Sequence, residues 1–166
     1  QGSAVIQPFT VNTTADTVDV DPGDGLAIDS DGNTSLRAAI MEANAHEGDD
    51  SVFLPAGTYL ITAEGIAEDS GFTGDLDVLD TTGTLRIVGS GANATTIHAN
   101  GFDRVLDVHS GATIKLSNLQ LTGGRVIAVD HGAGVRVIDA QLSLLHTRVT
   151  DNHSANHGGG LFIDDG

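Results

Sequence analysis

The chain has 166 residues, enough for one domain with a continuous apolar core. The absence of Cys excludes disulfides and thiolate metal sites. The 22 Gly and the absence of Trp predict a core of small aliphatic side chains. The net charge of −16, with no basic stripe to neutralise phosphates, argues against a nucleic-acid partner.

The first predicted elements are a strand over 7–12 and an Asp- and Gly-rich loop over 19–33. Ca²⁺ needs about 6–8 oxygen ligands, and the carboxylates of the loop, at D-x-D spacing, could supply several of them. The loop is not an EF-hand, because position 12 counted from Asp29 is Ile40 rather than Glu. Asx turns in a solvated loop are the alternative. The candidate calcium ligands are Asp19, Asp21, Asp24, Asp29, Asp31 and Asn33.

The next element is a helix, predicted over 34–45 with Thr34 or Ser35 as its N-cap. Two strands, over 51–54 and 58–61, follow the helix. Four apolar residues at helical spacing form one face of the helix: Leu36, Ala39, Ile40 and Ala43.

From about residue 84 the sequence becomes repetitive. Segment 131–139 aligns with 157–165 at an offset of 26, as H-G-x-G-aliphatic-x-aliphatic-x-Asp. Two further alignments extend the pattern: 112–122 over 140–150 at an offset of 28, and 84–87 over 113–116 at an offset of 29. Such periods indicate a repeat array.

Each repeat is too short to contain a helix and alternates apolar and polar residues between Gly, Asn and Asp turns. One repeat cannot bury its own apolar face, so equivalent strands of neighbouring repeats must stack. We therefore predict an all-β parallel β-helix, a solenoid, rather than an antiparallel sandwich, which would need hairpin turns. The predicted inward positions are Leu85, Ile87, Ile114, Leu116, Leu142 and Leu144.

The run 34–45 and the following 52–59 resemble the CSLREA domain family, which begins exported bacterial or archaeal right-handed β-helix proteins. Segments 73–78 and 85–91 also look like that family, and 158–162 is similar to the repeats of polymorphic outer-membrane proteins. The resemblance implies a right-handed parallel β-helix and export, but no activity.

The sequence departs from the family motif at two positions: the motif's Cys is Thr34 and its Glu is Ala38. Any disulfide or acidic role there is therefore absent. The resemblance implies an N-terminal cap over 1–62, made of the strand, the Asp-rich loop, an amphipathic capping helix and the first coil, followed by β-helix coils over 63–166. The helix would cover the apolar core and free strand edges of the terminal coil. A partner-binding helix is the alternative.

Three histidines and one pair of aspartates are further candidate metal ligands. His131 and His157 occupy equivalent positions in successive repeats and are expected to stack; with His153 they form a candidate transition-metal cluster. Stacked polar residues at a turn are the alternative. Asp75 and Asp77 are another cation candidate, for which a strand with outward-facing Asp residues is the alternative.

We do not expect catalysis. Polysaccharide lyases with this fold need Ca²⁺ and a Lys or Arg base, and hydrolases need paired carboxylates. Lys115 is the only Lys, it and Arg86 are predicted to face outward, and no recurring polar cluster that would line a long carbohydrate groove is evident. A polysaccharide-processing enzyme and a calcium-dependent carbohydrate-binding module are the alternatives to a structural role. No organic cofactor is expected.

Leu161, Phe162 and Ile163 form a candidate assembly end, because nothing after them resembles a cap. We expect either continuation into a longer adhesin-like surface protein or end-to-end self-association into an extracellular filament. A host or matrix surface is a further candidate partner.

We expect a secreted or cell-surface protein. No apolar run approaches the ~20 residues of a membrane span, and a start at Gln1 rather than Met would follow from removal of an export signal. A fragment boundary would look the same. If the source glycosylates exported proteins, four sequons are candidates: Asn12, Asn33, Asn93 and Asn152.

Overall fold

The computed structural model describes residues 6–66, 68–127 and 130–165. Helix α1, Leu36–Ala45, lies between the first two strands. The strands of the described residues are β1 Gln7–Thr10, β2 Asp50–Leu54, β3 Gly57–Leu60, β4 Leu76–Val78, β5 Leu85–Gly89, β6 Thr95–His98, β7 Leu106–Val108, β8 Thr113–Ser117, β9 Gln120–Thr122, β10 Arg125–Val126, β11 Val135–Ile138, β12 Gln141–Leu145, β13 Arg148–Val149, β14 His153–Ser154 and β15 Leu161–Asp164.

The strands form parallel sheets, so the fold is mostly β with one helix among the described residues. The first sheet has the order β1-β2-β5-β8-β12, the second β3-β6-β9-β13, and the third β4-β7-β11-β15, while β10 and β14 form a pair. Within each sheet the strands follow one another in chain order. The pairings between described strands are all parallel, which rules out the antiparallel sandwich.

All the described strands except β1 come from four successive segments, which we number as repeats: repeat 1 is 50–78, repeat 2 is 85–108, repeat 3 is 113–138 and repeat 4 is 141–164. Each repeat adds one strand to each of the three larger sheets. The division predicted at residue 62 falls inside repeat 1, whose β2 and β3 pair with β5 and β6.

The alignments predicted from the sequence are confirmed as strand registers. Val135 lies opposite Leu161 at the offset of 26, and Ile114 lies opposite both Leu142 and Leu85, at offsets of 28 and 29. The exact registers follow from the alternation of apolar residues, because a slip of one residue would turn the whole apolar set outward.

The core occupies the space between the sheets and contains most of the predicted inward residues. Leu85, Ile87, Ile114 and Leu116 are buried. Leu142 is partly buried, and Leu144, the residue opposite Leu116, is 36% exposed. Repeat 4 is less buried because, among the described residues, it has a neighbouring repeat on one side only.

Helix α1 begins after Ser35, whose side-chain oxygen accepts a hydrogen bond from the Ala38 N–H at 3.0 Å, so Ser35 rather than Thr34 is the N-cap. The prediction of a single buried face was too narrow, because every residue from Leu36 to Ala43 is buried. The carboxylate of Glu42, on the polar side, accepts hydrogen bonds from the N–H groups of Gly23 and Gly25. The Asp-rich loop therefore covers the side of the helix that faces away from the sheets.

Arg37 fixes the helix to the chain segment that precedes β4. Its guanidinium contacts the Asp16 carboxylate at 2.6 Å and donates hydrogen bonds to the carbonyl oxygens of Gly71, Gly74 and Asp75. Arg37 is 1% exposed, so these polar contacts are made almost without water. The helix thereby positions segment 68–75, which lies over the third sheet.

Candidate functional site

A row of charged side chains crosses the third sheet. Asp77 on β4, Asp107 on β7 and Arg136 on β11 are adjacent in register. The residues on either side of each are core residues, so these three point to the opposite face of the sheet. Asp77 and Asp107 are nevertheless buried.

Segment 68–75 contributes to the cover over this face of the sheet. Gly71 of this segment lies close to Asp77, since a β-carbon added to Gly71 would be 4.0 Å from Cβ of Asp77. Asp77 faces away from the core, as the alternative of a strand with outward-facing Asp residues expects, yet both Asp75 and Asp77 are buried. Alternation along the strand gives the direction of a side chain, but a covering segment decides whether water reaches it.

Two arginines connect the carboxylates of this face into one group. Arg104 contacts Asp75 and Asp107, each at 3.2 Å, and also Asp130. Arg136 binds both oxygens of Asp107 and contacts Asp130 at 3.3 Å. We call the group the polar cluster, and its members are Asp75, Asp77, Arg104, Asp107, His109, Asp130 and Arg136.

His109 extends the polar cluster on the side of Asp77. Its Nε2 atom lies 2.8 Å from Oδ1 of Asp77 and 3.6 Å from Oδ2 of Asp107. The hydrogen bond to Asp77 raises the pKa of His109, although burial opposes the rise. Burial raises the pKa of Asp77, and the contact with His109 offsets only part of this effect.

The desolvation of the carboxylates in the polar cluster is only partly offset by the two arginines. Burial raises the pKa of Asp75 to about 9, against the attraction of Arg104 and with added repulsion from Asp103. Arg104 is shared among three carboxylates, so it cannot offset the desolvation of each one. Oδ2 of Asp77 is buried without a hydrogen-bond partner among the described residues.

The polar cluster was not predicted as a group. Two of its members, Asp75 and Asp77, were a cation candidate, and no recurring polar cluster lining a long carbohydrate groove was expected. A signal for it exists, because Leu-Asp-Val occurs at 76–78 and again at 106–108, and the two copies pair strand to strand. Arg136 occupies the equivalent position in Val-Arg-Val at 135–137. Recurrence of a charged residue between two core residues marks a column of charges on one face of a sheet.

The predicted calcium loop uses several of its carboxylates for its own backbone. Asp29 accepts hydrogen bonds from the N–H groups of Asp31 and Asn33 and from the Thr17 hydroxyl. Asp19 and Asp24 each accept from the N–H two residues later, as in Asx turns. No three carboxylates of this loop, which lies wholly within the described residues, have ligand atoms within 4.8 Å of one another. Calcium binding by the loop stays a prediction.

The predicted histidine pair is in contact. The rings of His131 and His157 stack with centroids 5.2 Å apart, and the ring of Phe162 stacks on His131 at 4.4 Å. His153 lies on β14, opposite Arg125 of β10. These three histidines, all within the described residues, do not bring three ligand atoms within 4.8 Å of one another. Their binding of a transition metal stays a prediction.

Comparison with known proteins gives no relative for this chain. No protein-family model matches it, and searches of curated proteins and of solved structures found no significant match. No helix long and apolar enough to cross a bilayer occurs among the described residues.

Proposed function

We propose that the chain is an exported, non-catalytic structural protein of the right-handed parallel β-helix class, located outside the cell or at its surface. The parallel sheets, in which strand order follows chain order, support the β-helix proposal. The resemblance of 34–45 and 52–59 to the CSLREA family supports the proposals of handedness and export. The buried helix at the first sheet edge supports a capping role for Leu36, Ala39, Ile40 and Ala43.

The observation that carries the proposal is the exposed apolar surface of repeat 4. Leu161 and Ile163 are 39% and 56% exposed, although they lie opposite Val135 and Val137, which are buried. Strands β12 and β15 are also the edges of their sheets among the described residues. Exposed aliphatic side chains beside open strand edges suit the addition of another layer of β-strands.

The layer has two proposed sources: a continuation of the β-helix in a longer adhesin-like protein, or a second copy of this chain in a filament. In a head-to-tail filament, repeat 4 of one copy would pair with β1 of the next. β1 contains Pro8, which has no N–H for strand pairing, and α1 packs beside this strand. These features favour continuation over head-to-tail stacking.

The test is the concentration dependence of mass, measured by light scattering after size exclusion and by negative-stain microscopy. We expect repeat 4 of the wild-type chain to bind a hydrophobic dye and Ile163→Asp to reduce this binding. Concentration-dependent association that Ile163→Asp abolishes would support the filament form. Ile66→Asp is the matched control, because Ile66 is 75% exposed on a loop. A monodisperse wild-type monomer would remove the filament form. Equal dye binding by the two variants would contradict the docking role of repeat 4.

One observation favours the alternative of a polysaccharide-processing enzyme. Asp103 and Asp130 line the same cleft of about 240 Å³. Burial raises the pKa of Asp103, whereas the pKa of Asp130 is lowered because hydrogen bonds from His131 and Arg104 outweigh its burial. Such opposed shifts are typical of acid and base pairs. Asp130 is, however, held in ion pairs by Arg104 and Arg136.

An assay for reducing ends or unsaturated products on acidic polysaccharides tests the enzyme alternative. Turnover that is lost in Asp103→Asn would establish it and would overturn the non-catalytic proposal. The absence of products from a panel of acidic polysaccharides is the result expected for a structural protein.

A further inference from the structure

Four potential metal ligands meet at the edge of the polar cluster. Asp69, Asp77, Asp107 and His109 each place one ligand atom so that all four lie within 4.8 Å of one another. They come from two strands, from the residue after β7 and from segment 68–75. We propose that these four side chains bind one divalent transition-metal ion, with Zn²⁺ as the best fit.

The distances agree with a four-coordinate ion. Ligand atoms about 2.1 Å from a tetrahedral Zn²⁺ lie about 3.4 Å from one another. The Nε2 atom of His109 lies 2.8 Å from an oxygen of Asp77 and 3.6 Å from an oxygen of Asp107, on either side of that value. Both separations are close to that value, and all four ligand atoms lie within 4.8 Å of one another.

Asp77 has one buried carboxylate oxygen that a bound cation would satisfy. It is 1% exposed, and its Oδ2 atom has no hydrogen-bond partner among the described residues. A buried, unpaired carboxylate oxygen costs free energy, which a bound cation would remove. This observation is independent of the grouping of the four ligands, and it distinguishes the group from an ordinary acidic surface patch.

Asp107 can serve the ion and the arginines together. Its oxygens accept hydrogen bonds from Arg136, and Oδ2 also contacts Arg104 at 3.2 Å. A carboxylate has about four lone-pair directions on its two oxygens, and the arginines use three of them, two on Oδ2 and one on Oδ1. The direction that remains for a metal bond is on Oδ1. The arginines would then orient this ligand.

Segment 68–75 brings the fourth ligand to the strands. The carboxylate of Glu68 accepts hydrogen bonds from the N–H groups of Ser70, Phe72 and Thr73, which fixes the turn that carries Asp69. Arg37 holds the carbonyl oxygens further along the same segment. Asp69 is exposed, so the site has an entry from solvent.

The ligand chemistry favours a transition metal over Ca²⁺. Imidazole nitrogen suits Zn²⁺ and Fe²⁺, and carboxylates bind Zn²⁺ and suit Mn²⁺. Ca²⁺ prefers six or more oxygen ligands. The group shares no residue with the Asp-rich loop or with the His131, His153 and His157 set. It contains Asp77 of the third candidate predicted from the sequence, the pair Asp75 and Asp77, but not Asp75.

The test is calorimetric titration of the chelator-treated full chain with Zn²⁺, and in parallel arms with Mn²⁺ and Ca²⁺. We expect saturable binding of one Zn²⁺ per chain, a higher thermal midpoint with Zn²⁺, and weak or absent Ca²⁺ binding at this site. Asp69→Asn should weaken Zn²⁺ binding by about tenfold or more, and His109→Gln by more than that. X-ray absorption should show one imidazole among nitrogen and oxygen ligands, and this signal should be lost in His109→Gln.

Two variants serve as matched controls, Asp151→Asn after β13 and His146→Gln after β12. Both residues are exposed and belong to none of the candidate metal sites, and both variants should bind Zn²⁺ like the wild type. Asp69 is exposed, so its variant should fold, which circular dichroism and the metal-free thermal midpoint would verify. The proposal is overturned if the folded wild type shows no saturable Zn²⁺ binding. It is also overturned if a control variant loses binding while Asp69→Asn retains it.

Discussion

Helix α1 packs against the sheets, and repeat 4 supplies an edge strand to each of the three larger ones, yet the two regions bury their apolar side chains to very different degrees. Residues from Leu36 to Ala43 are buried on all sides of the helix, because the sheets lie on one side and the Asp-rich loop on the other. In repeat 4, Leu144 and Ile163 are half exposed although they continue columns of buried residues. The comparison shows that alternation sets the direction of a side chain, whereas burial needs a neighbour on both sides.

The largest effect should come from the contacts that hold the helix. Arg37→Ala would remove the ion-pair partner of the buried Asp16 carboxylate, which would keep only its hydrogen bonds from backbone N–H groups. It would also remove the donor from three carbonyl oxygens. We expect a loss of about 3–5 kcal/mol in the free energy of unfolding, measured by chemical denaturation. Arg86→Ala is the control, because Arg86 and its partner Asp49 are each about one-third exposed. Arg86→Ala should lower the free energy of unfolding by less than about 1 kcal/mol. Equal losses in the two variants would mean that the buried contacts of Arg37 stabilise the fold no more than a surface ion pair does.

A smaller effect should separate two leucines that lie opposite each other in register. Leu116 is 1% exposed and Leu144 is 36% exposed. Leu116→Ala should lower the free energy of unfolding by about 2–5 kcal/mol, because it leaves a cavity in the core. Leu144→Ala should cost about 1 kcal/mol or less in the isolated chain.

The leucine comparison also tests whether repeat 4 is covered in solution. If another layer of strands covers repeat 4, the cost of Leu144→Ala should rise toward that of Leu116→Ala as the chain concentration increases. Denaturation at several concentrations, monitored by circular dichroism, measures this change. A large cost for Leu144→Ala in a dilute monomer would contradict the exposure seen in the structure.

The smallest effect concerns the Asp-rich loop over the helix. Burial alone would raise the pKa of Asp29, but hydrogen bonds from Asn33, Thr17 and Asp31 lower it below the ordinary value of 3.8. The folded state therefore favours the ionised form, so this contribution is present above about pH 4 and is lost as the pH falls through the lowered pKa. Asp29→Asn should reduce the acid-induced loss of stability by about 1 kcal/mol.

The control for the loop is Asp31→Asn, because Asp31 is exposed. Thermal midpoints between about pH 5 and about pH 2 compare the two variants with the wild type. The interpretation fails if Asp31→Asn flattens the pH profile as much as Asp29→Asn does.

Much of the fold was predictable because it depends on repeated local patterns. The offsets of 26, 28 and 29 are the registers of β15 on β11, β12 on β8 and β8 on β5. The helix was predicted to within two residues of its start, since Ser35 and the apolar spacing mark it. The burial of Arg37 and Glu42 was not predictable, because their partners lie far away in the chain.

The candidate site was predicted less well than the fold. The sequence drew attention to Asp19–Asn33 and to three histidines, because acidic and histidine residues stand close together or recur there. The polar cluster instead joins Asp77, Asp107 and Arg136 from three repeats. In the sequence, the polar cluster shows itself in the Leu-Asp-Val recurrence and in Asp75 and Asp77, which were a cation candidate.

The sequence by itself determined the strand registers, the position of the helix and the direction of the apolar side chains, since each depends on short-range periodicity and capping. Only the tertiary structure decided which outward residues are buried, because segment 68–75 and the Asp-rich loop cross over surfaces that are distant in the chain. Burial then decides the chemistry: it raises the pKa of Asp75 and leaves an oxygen of Asp77 without a hydrogen-bond partner among the described residues.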